Sequence, residues 1–302
     1  MVSPNRVVFT VGEADVGRRL DQVLAARVEG LSRRQARLLL DIGGVFVDGR
    51  RVKIAGKPMY AGEEVVAVMG GALARATPRT GRAARGEDER QLPAFAVVFE
   101  DDDVVVVDKP SGLLTAPTPE SDRNNLADLL KRRPGAGPVF VVHRIDLETS
   151  GLVMFAKTED ANRELSRRFR DHDLERAYLA VVAGSFPADL KVIDRPVDGR
   201  RAVTHVDIRE RLGDRATLIG CRLETGRTHQ IRLHMAEVGT PVIGDGRYGR
   251  PFSPAPPRMA LHATRLGLLH PRTGAPLSFE SPWPPDLDGW LTETGLRNPA
   301  TQ

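Results

Sequence analysis

His143, Arg144 and Asp146 stand within four residues of one another, and Thr149, Ser150 and Gly151 follow directly. An aspartate in this company has two readings. It can close an Asx-type turn or cap a helix, the ordinary employment of Asp beside Thr, Ser and Gly. It can also act as nucleophile or general base, since a neighbouring arginine and hydroxyl donors can attend a charged carboxylate. A second polar cluster runs Leu223-Glu224-Thr225-Gly226-Arg227-Thr228-His229-Gln230-Ile231-Arg232-Leu233-His234-Met235. Thr228 is placed to cap a helix from His229 to about Val238, with Arg232 one turn in. His229 and His234 lie off a single helical face and have no carboxylate to join them, so no metal site is expected.

Two further patterns invite chemistry and fail on context. Ser150 lacks the Gly-x-Ser-x-Gly elbow of a hydrolase, because Glu148 stands where the first glycine belongs. Gly244-Asp245-Gly246-Arg247-Tyr248-Gly249 satisfies Gly-x-Gly-x-x-Gly, but Pro251, Pro254, Pro256 and Pro257 forbid the helix that must follow. No nucleotide cofactor is expected.

The elements around these residues must hold them. Val139–Val142 and Leu152–Ala156 flank the Asp146 cluster with strand length and composition, so the cluster reads as a loop gripped at both ends. Val97–Glu100, Val104–Val107 and Tyr178–Gly184 read as strands, Glu159–His172 as a helix, and 203–211 with 216–224 as a hairpin across Gly213-Asp214. Strands and helices do not alternate regularly, which argues against a doubly wound parallel sheet. The expected fold class is α+β: a mixed, largely antiparallel sheet with flanking helices, plus a small α+β N-terminal domain.

That N-terminal part, residues 1–69, carries a helix from Arg18 to Arg27. A second helix follows from Arg33 to Ile42, with Ser32 and Gln35 at capping-box spacing and Gly43-Gly44 as a stop. Short strands at 45–47 and 64–68 complete it. Residues 70–93 are dominated by Gly, Ala, Arg and Pro and read as a flexible linker. Residues 94–302 form the larger domain.

The 302 residues are 41% hydrophobic and 28% charged, with a net charge of +4 and a pI near 9.5. Residues 1–69 hold 11 basic against 8 acidic groups, 70–93 hold 5 against 3, and the remainder 28 against 29. The basic excess therefore sits in the first third, where nucleic acid is the partner it permits. No apolar run approaches the roughly 20 residues that span a bilayer, and the N-terminus has no apolar signal core. A cytoplasmic protein without a membrane partner is expected. The lone Cys221 excludes an internal disulfide and reads as a small core residue.

Arg19-Leu20-Asp21, Leu31-Ser32-Arg33-Arg34-Gln35-Ala36 and Gly44-Val45-Phe46-Val47-Asp48-Gly49 resemble the small RNA-binding domain shared by a small-subunit ribosomal protein, tyrosyl-tRNA synthetases and several RNA-modifying enzymes. The resemblance implies RNA contacts by Arg33, Arg34, Arg37, Arg50, Arg51 and Lys53. From about residue 95 to 283 the chain resembles RNA pseudouridine synthases of the RluA/RluD type. The motifs are Lys109-Pro110-Ser111-Gly112, His143 to Gly151, Ala177 to Gly184, Thr225 to His234, Gly244 to Gly249, and Leu261-His262-Ala263 through His270-Pro271. Ile145 replaces the family's usual Leu, and Leu147 stands where a polar residue is frequent.

The resemblance implies isomerisation of uridine in RNA without a cofactor or metal. It gives Asp146 as the essential carboxylate, either attacking the anomeric carbon or removing the ribose 2′ proton. Arg232 is its ion-pair partner, and Tyr178 stacks on the flipped base and assists loss of the C5 proton. Arg144, His143, Arg227, His229, Gln230 and Leu266 are assigned to substrate binding, with Arg144 filling the vacated place in the RNA stack and His143 supporting the loop. Large-subunit rRNA is the preferred substrate, tRNA the second, and a monomer is expected. A non-catalytic ribosome-assembly factor is the alternative that the N-terminal domain alone would support.

Overall fold

The computed structural model describes residues 5–70, 73, 92–118 and 124–297. Backbone contacts divide the chain into two compact units: Met1–Leu92 with Ala116–Arg133, and Pro93–Thr115 with Pro134–Gln302. Residues 116–133 thus group with the first unit. The expected linker, 70–93, falls almost wholly outside the described residues.

The first unit contains β1 (Asn5–Thr10), α1 (Leu20–Arg27), α2 (Arg33–Asp41), β2 (Val45–Val47), β3 (Arg50–Arg51), β4 (Glu64–Met69) and α3 (Leu126–Lys131). Its antiparallel sheet has the order β1-β4-β2-β3. The α2 start is the capping box read from sequence: Ser32 Oγ accepts from the Gln35 N–H, and the Ser32 N–H donates to Gln35 Oε1 at 3.0 Å. Gly43, at φ +82°, follows the helix in the left-handed region. Asp48 and Gly49 both have positive φ, the condition for a two-residue turn that matches strand twist, and they join β2 to β3. Leu20, Val23 and Leu24 of α1 and Leu39 and Leu40 of α2 pack on Val45, Val47 and Val65.

The second unit contains β5 (Ala96–Glu100), β6 (Val104–Lys109), β7 (Phe140–Val141), β8 (Ser150–Ala156), α4 (Glu159–Asp171), β9 (Glu175–Ala183), β10 (Val192–Asp194), β11 (Val203–Leu212), β12 (Ala216–Leu223), α5 (Gln230–Glu237), β13 (Leu261–Leu269), β14 (Pro276–Glu280) and α6 (Pro285–Glu293). One sheet runs β10-β11-β12-β9-β13-β8-β6-β5, with β14 on β13 and β7 on β8. Its pairs are antiparallel except β8 with β13, so the expected mixed, largely antiparallel sheet is what forms. At that parallel pair Gly151 has φ +111°, and a Cβ there would collide with the Ala263 backbone. Only glycine allows β8 to enter beside β13 at this point.

Helices cover both faces. Ile231 and Met235 of α5 pack with Ala180, Val182 and Cys221. Leu287, Trp290 and Leu291 of α6 pack with the alternating residues Val181 and Ala183. Ala161 and Leu165 of α4 close over Val104, Val106, Leu152 and Met154. Leu266 belongs to this last cluster at 2% exposure. It is core, which corrects its assignment to substrate binding. The Val139–Val142 run yields only the two-residue β7, because the chain leaves the sheet to form the 142–149 loop.

Candidate active site

Asp146 sits in the loop between β7 and β8, and the Lys109–Thr115 segment buckles that loop from beneath. Lys109 is fully buried and donates to the carbonyls of Pro110, Leu113 and Leu147 at 2.9, 2.7 and 3.2 Å. The Gly112 N–H also donates to Leu147 O, and Ser111 Oγ donates to Glu148 O. Thr115 Oγ donates to Ile145 O at 2.8 Å and accepts from the Ile145 N–H at 3.3 Å. Burial pushes Lys109 down to about 7, against the upward pull of Asp146. The Lys-Pro-Ser-Gly motif therefore fixes the backbone after Asp146, and Thr115 fixes it before.

Arg232, in the first turn of α5, meets Asp146 from the other side, Nη1 to Oδ2 at 3.1 Å. The remaining edge of its guanidinium is taken bidentately by Asp245, at 2.7 and 2.8 Å. Asp245 in turn accepts the N–H groups of Arg247 and Tyr248. Burial alone would raise the Asp245 carboxyl, but the Arg232 and backbone hydrogen bonds outweigh it and hold it below the usual range. For Arg232 burial acts downward, and the two carboxylates reverse it and raise the guanidinium. His229 Nε2 lies 3.8 Å from Asp146 Oδ1, and its Nδ1 faces the Tyr248 hydroxyl at 3.0 Å. Burial lowers His229, so its ring is neutral near pH 7.

The α5 start differs from expectation. The helix begins at Gln230, and its cap is His229 at φ +58°. Thr228 does not cap it. Gln230 does the tying instead: its Oε1 accepts from Thr225 Oγ and the Arg227 N–H, and its Nε2 donates to Val203 O and Thr204 Oγ. Gln230 is buried by this work. The αL turn at His229 is what aims the imidazole at Asp146.

A cleft of about 450 Å³ opens over Asp146, lined by Tyr178, Arg144, His143, Arg227, His229, Gln230 and Arg232 among others. Five arginines, at 144, 170, 176, 227 and 232, face it against one carboxylate, Asp146. The distribution suits a polyanion. Burial pushes the Tyr178 phenol up, which keeps it protonated near neutral pH and works against its use as a base. His143 stacks on Phe169 at 4.3 Å, accepts the Met154 N–H at 2.9 Å, and is lowered to about 3, first by burial and then by Arg176. It is a neutral brace for the loop. Arg176 lines the cleft and Asp245 and Tyr248 contact Arg232, and none of the three was singled out as a site residue from the sequence. Asp245 and Tyr248 lay in the rejected Gly-x-Gly-x-x-Gly segment, whose use proves to be as a clamp.

Residues 103–237 match the RNA pseudouridylate synthase family, and residues 18–65 match the S4 domain. The chain is 35% identical to the RNA pseudouridine synthase YlyB of Bacillus subtilis over 94% of its own length and 96% of that protein's. It is 34% identical to the ribosomal large subunit pseudouridine synthase D of Nitrosomonas europaea, over 95% and 87%, and 36% identical to that of Neisseria meningitidis serogroup A, over 94% and 80%. The chain belongs to the RNA pseudouridylate synthase family. Its fold is similar to that of human RNA pseudouridylate synthase domain containing 4, with a TM-score of 0.54 at 22% identity, covering 67% of this chain and 93% of that one.

In this pseudouridine synthase the other polar clusters are structural. Ser150 Oγ lies 2.9 Å from His262 Nδ1, His262 Nε2 lies 3.0 Å from Ser281 Oγ, and Ser281 donates to Asp108. The relay is buried and outside the cleft, so Ser150 is no nucleophile. Asp101, Asp103 and His270 gather closely enough to suggest a metal. Their atoms are already engaged: His270 Nδ1 accepts two backbone N–H groups, its Nε2 faces Asp101 at 2.9 Å, and Arg272 pairs with Asp103 at 2.6 Å.

The S4 unit carries its own array. Asp21 is fully buried in α1 and is met by Arg19, Arg33 and Arg37 at 3.1, 3.2 and 2.7 Å. Burial alone would raise it, yet these bonds bring it to about 2. Arg33 and Arg37 remain half exposed, held in place with donors to spare. Arg34, Arg50 and Lys53 are exposed, and Arg51 lies over Phe46 and donates to Thr118 O. No helix among the described residues is long and apolar enough to cross a membrane.

Proposed function

We propose that this chain isomerises specific uridines to pseudouridine in large-subunit ribosomal RNA, acting in the cytoplasm as a monomer, with Asp146 as the essential carboxylate. The Asp146–Arg232–Asp245 series carries this reading. A carboxylate at the floor of a cationic cleft, its partner arginine locked from behind, is a preorganised reacting group. The names of the bacterial relatives favour large-subunit rRNA over tRNA. In this reading the target uridine leaves its stack and enters the cleft against Tyr178, while Arg144, exposed at the rim, takes the vacated place. Arg227, His229 and Gln230 form the wall around the ribose, and His143 keeps the loop in register. Residues 1–69 form the RNA-recruiting domain, 70–93 the linker and 94–302 the catalytic domain. Within the first of these, Arg33, Arg34, Arg37, Arg50, Arg51 and Lys53 contact RNA phosphates and shape rather than base edges.

The deciding experiment is tritium release from uridine-labelled large-subunit rRNA by the unaltered protein and by Asp146→Asn. The variant should bind RNA and release no tritium. A variant that turns over at a substantial fraction of the normal rate would remove Asp146 from the mechanism. Pseudouridine mapping in rRNA and tRNA from a strain lacking the protein separates the two substrates.

A further inference from the structure

Among the described residues Arg176 has no ion-pair partner. It stands in β9 two residues before Tyr178, so both side chains leave the same face of the strand and enter the same cleft. The residue is 8% exposed. Its Nε and Nη2 are buried and have no hydrogen-bond partner among the described residues. The guanidinium carbon lies 5.9 Å from the centre of the Phe169 ring. On the opposite side is Gly226, where a Cβ would collide with the guanidinium. A buried cation without an anion is costly, and this one shares its cleft with four other arginines. The position is built for negative charge that arrives from outside the chain.

Uridine isomerisation generates such a charge inside the cleft. The C1′–N1 bond breaks with its electron pair passing to N1, so the detached uracil is an anion, its charge shared by N1, O2 and O4. This holds whether an Asp146 oxygen bonds C1′ or Asp146 takes the 2′ proton. C5 then bonds C1′ as the Asp146–C1′ bond breaks, or as Asp146 returns the proton to C2′; C5 loses its proton and N1 gains one, so no further reactant enters. Backbone phosphates are the rival anions. They stay with the strand at the cleft mouth when a base is turned out, whereas Arg176 is buried beside Tyr178, where the base must lie. We infer that Arg176 donates to a carbonyl oxygen of the departing uracil and stabilises the uracilate anion. This rests on the pseudouridine synthase reading above.

The test compares single-turnover rates on a large-subunit rRNA transcript with rates on the same transcript carrying 5-fluorouridine, whose base leaves more readily as an anion. Nucleoside mass spectrometry follows the loss of each nucleoside. Arg176→Met should slow the uridine reaction about 10²-fold with RNA binding unchanged. The loss on 5-fluorouridine RNA should be about tenfold smaller, since a leaving group stabilised by its own substituent needs less from the protein. Arg176→Lys should restore part of the rate. Gly226→Ala, which displaces the guanidinium while keeping it, should show the same bias between the two RNAs. The thermal midpoint of Arg176→Met should equal or exceed that of the unaltered protein, because an unpaired buried charge has gone. Equal losses on both RNAs overturn the inference, as does weaker RNA binding at an unchanged rate, which makes Arg176 a phosphate contact. If the unaltered protein isomerises neither RNA, the functional reading itself fails.

Discussion

At the scale of the residue, Asp146 is defined by what stands behind it. Arg232 meets Asp146 through one nitrogen and Asp245 through two, so the stronger half of the network is the hidden half. Asp245→Asn removes the charged, bidentate acceptor and leaves that edge of Arg232 at most one neutral oxygen. Turnover should fall roughly tenfold to a hundredfold, the scale of a misplaced catalytic group, while KM for RNA changes little. Rapid-quench rates and RNA titrations separate the two quantities, and an unchanged turnover number would assign Asp245 to folding alone. Sequence patterns made Asp146, Tyr178 and Arg232 legible, because each stands in a motif with chemistry-bearing neighbours. Asp245 and Arg176 escaped because their meaning is relational. One matters for an arginine 13 residues upstream that it grips, the other for the partner it lacks, and no local spacing encodes either.

At the scale of the element, local signals predicted local structure well. The Ser32–Gln35 box, the Gly43 stop and the 203–212/216–223 hairpin form where the residues place them. Non-local pairing was not readable: nothing in β8 or β13 announces that they run parallel, and Leu266 turned out to face the core for the same reason. The α5 start went wrong because a threonine at the right spacing lost to a left-handed His229 that Gln230 could support. The Lys109–Thr115 buckle supplies a test at this scale. Thr115→Val keeps the shape but removes both bonds to the Ile145 peptide. Leaving a buried carbonyl and N–H unmet should destabilise the protein by about 1–3 kcal/mol and loosen the loop next to Asp146. The urea midpoint should drop and the single-turnover rate with it, while RNA affinity, carried largely by other residues, holds. A lower midpoint with an unchanged rate would show that the loop keeps its geometry without this clamp.

At the scale of the whole molecule, the two units should answer acid differently. All seven histidines lie in the second unit, and none lies in the first. Burial lowers His143 to about 3 and His262 to about 4, and it lowers His172, His229 and His234 as well. A histidine whose folded value is depressed contributes stability that is fully present above its unfolded value near 6.5. That stability is lost as pH falls towards the folded value, because the unfolded chain takes up protons that the fold refuses. The loss therefore begins near pH 6.5 and runs down to about 4 for His262 and about 3 for His143. At pH 4.5 these two should together cost a few kcal/mol, at about 1.4 kcal/mol per pH unit each before screening. His262, at 2% exposure, should carry the larger share, since His143 keeps one side towards the cleft. In the first unit the arginines around Asp21 lower it from 3.8 to about 2, so its contribution persists until pH falls below about 3.8. Both tryptophans, Trp283 and Trp290, lie in the second unit and report on it alone. Between pH 7 and 4.5 the urea midpoint read by tryptophan fluorescence should fall steadily. Hydrogen-exchange protection in α1 and α2 should stay level until the carboxylate range. Parallel loss in both units would mean that they unfold as one, and a flat fluorescence midpoint would mean that the buried imidazoles do not resist protonation. His262→Gln should flatten the fluorescence dependence while lowering the midpoint at pH 7, because the amide can replace only part of the Ser150–Ser281 relay.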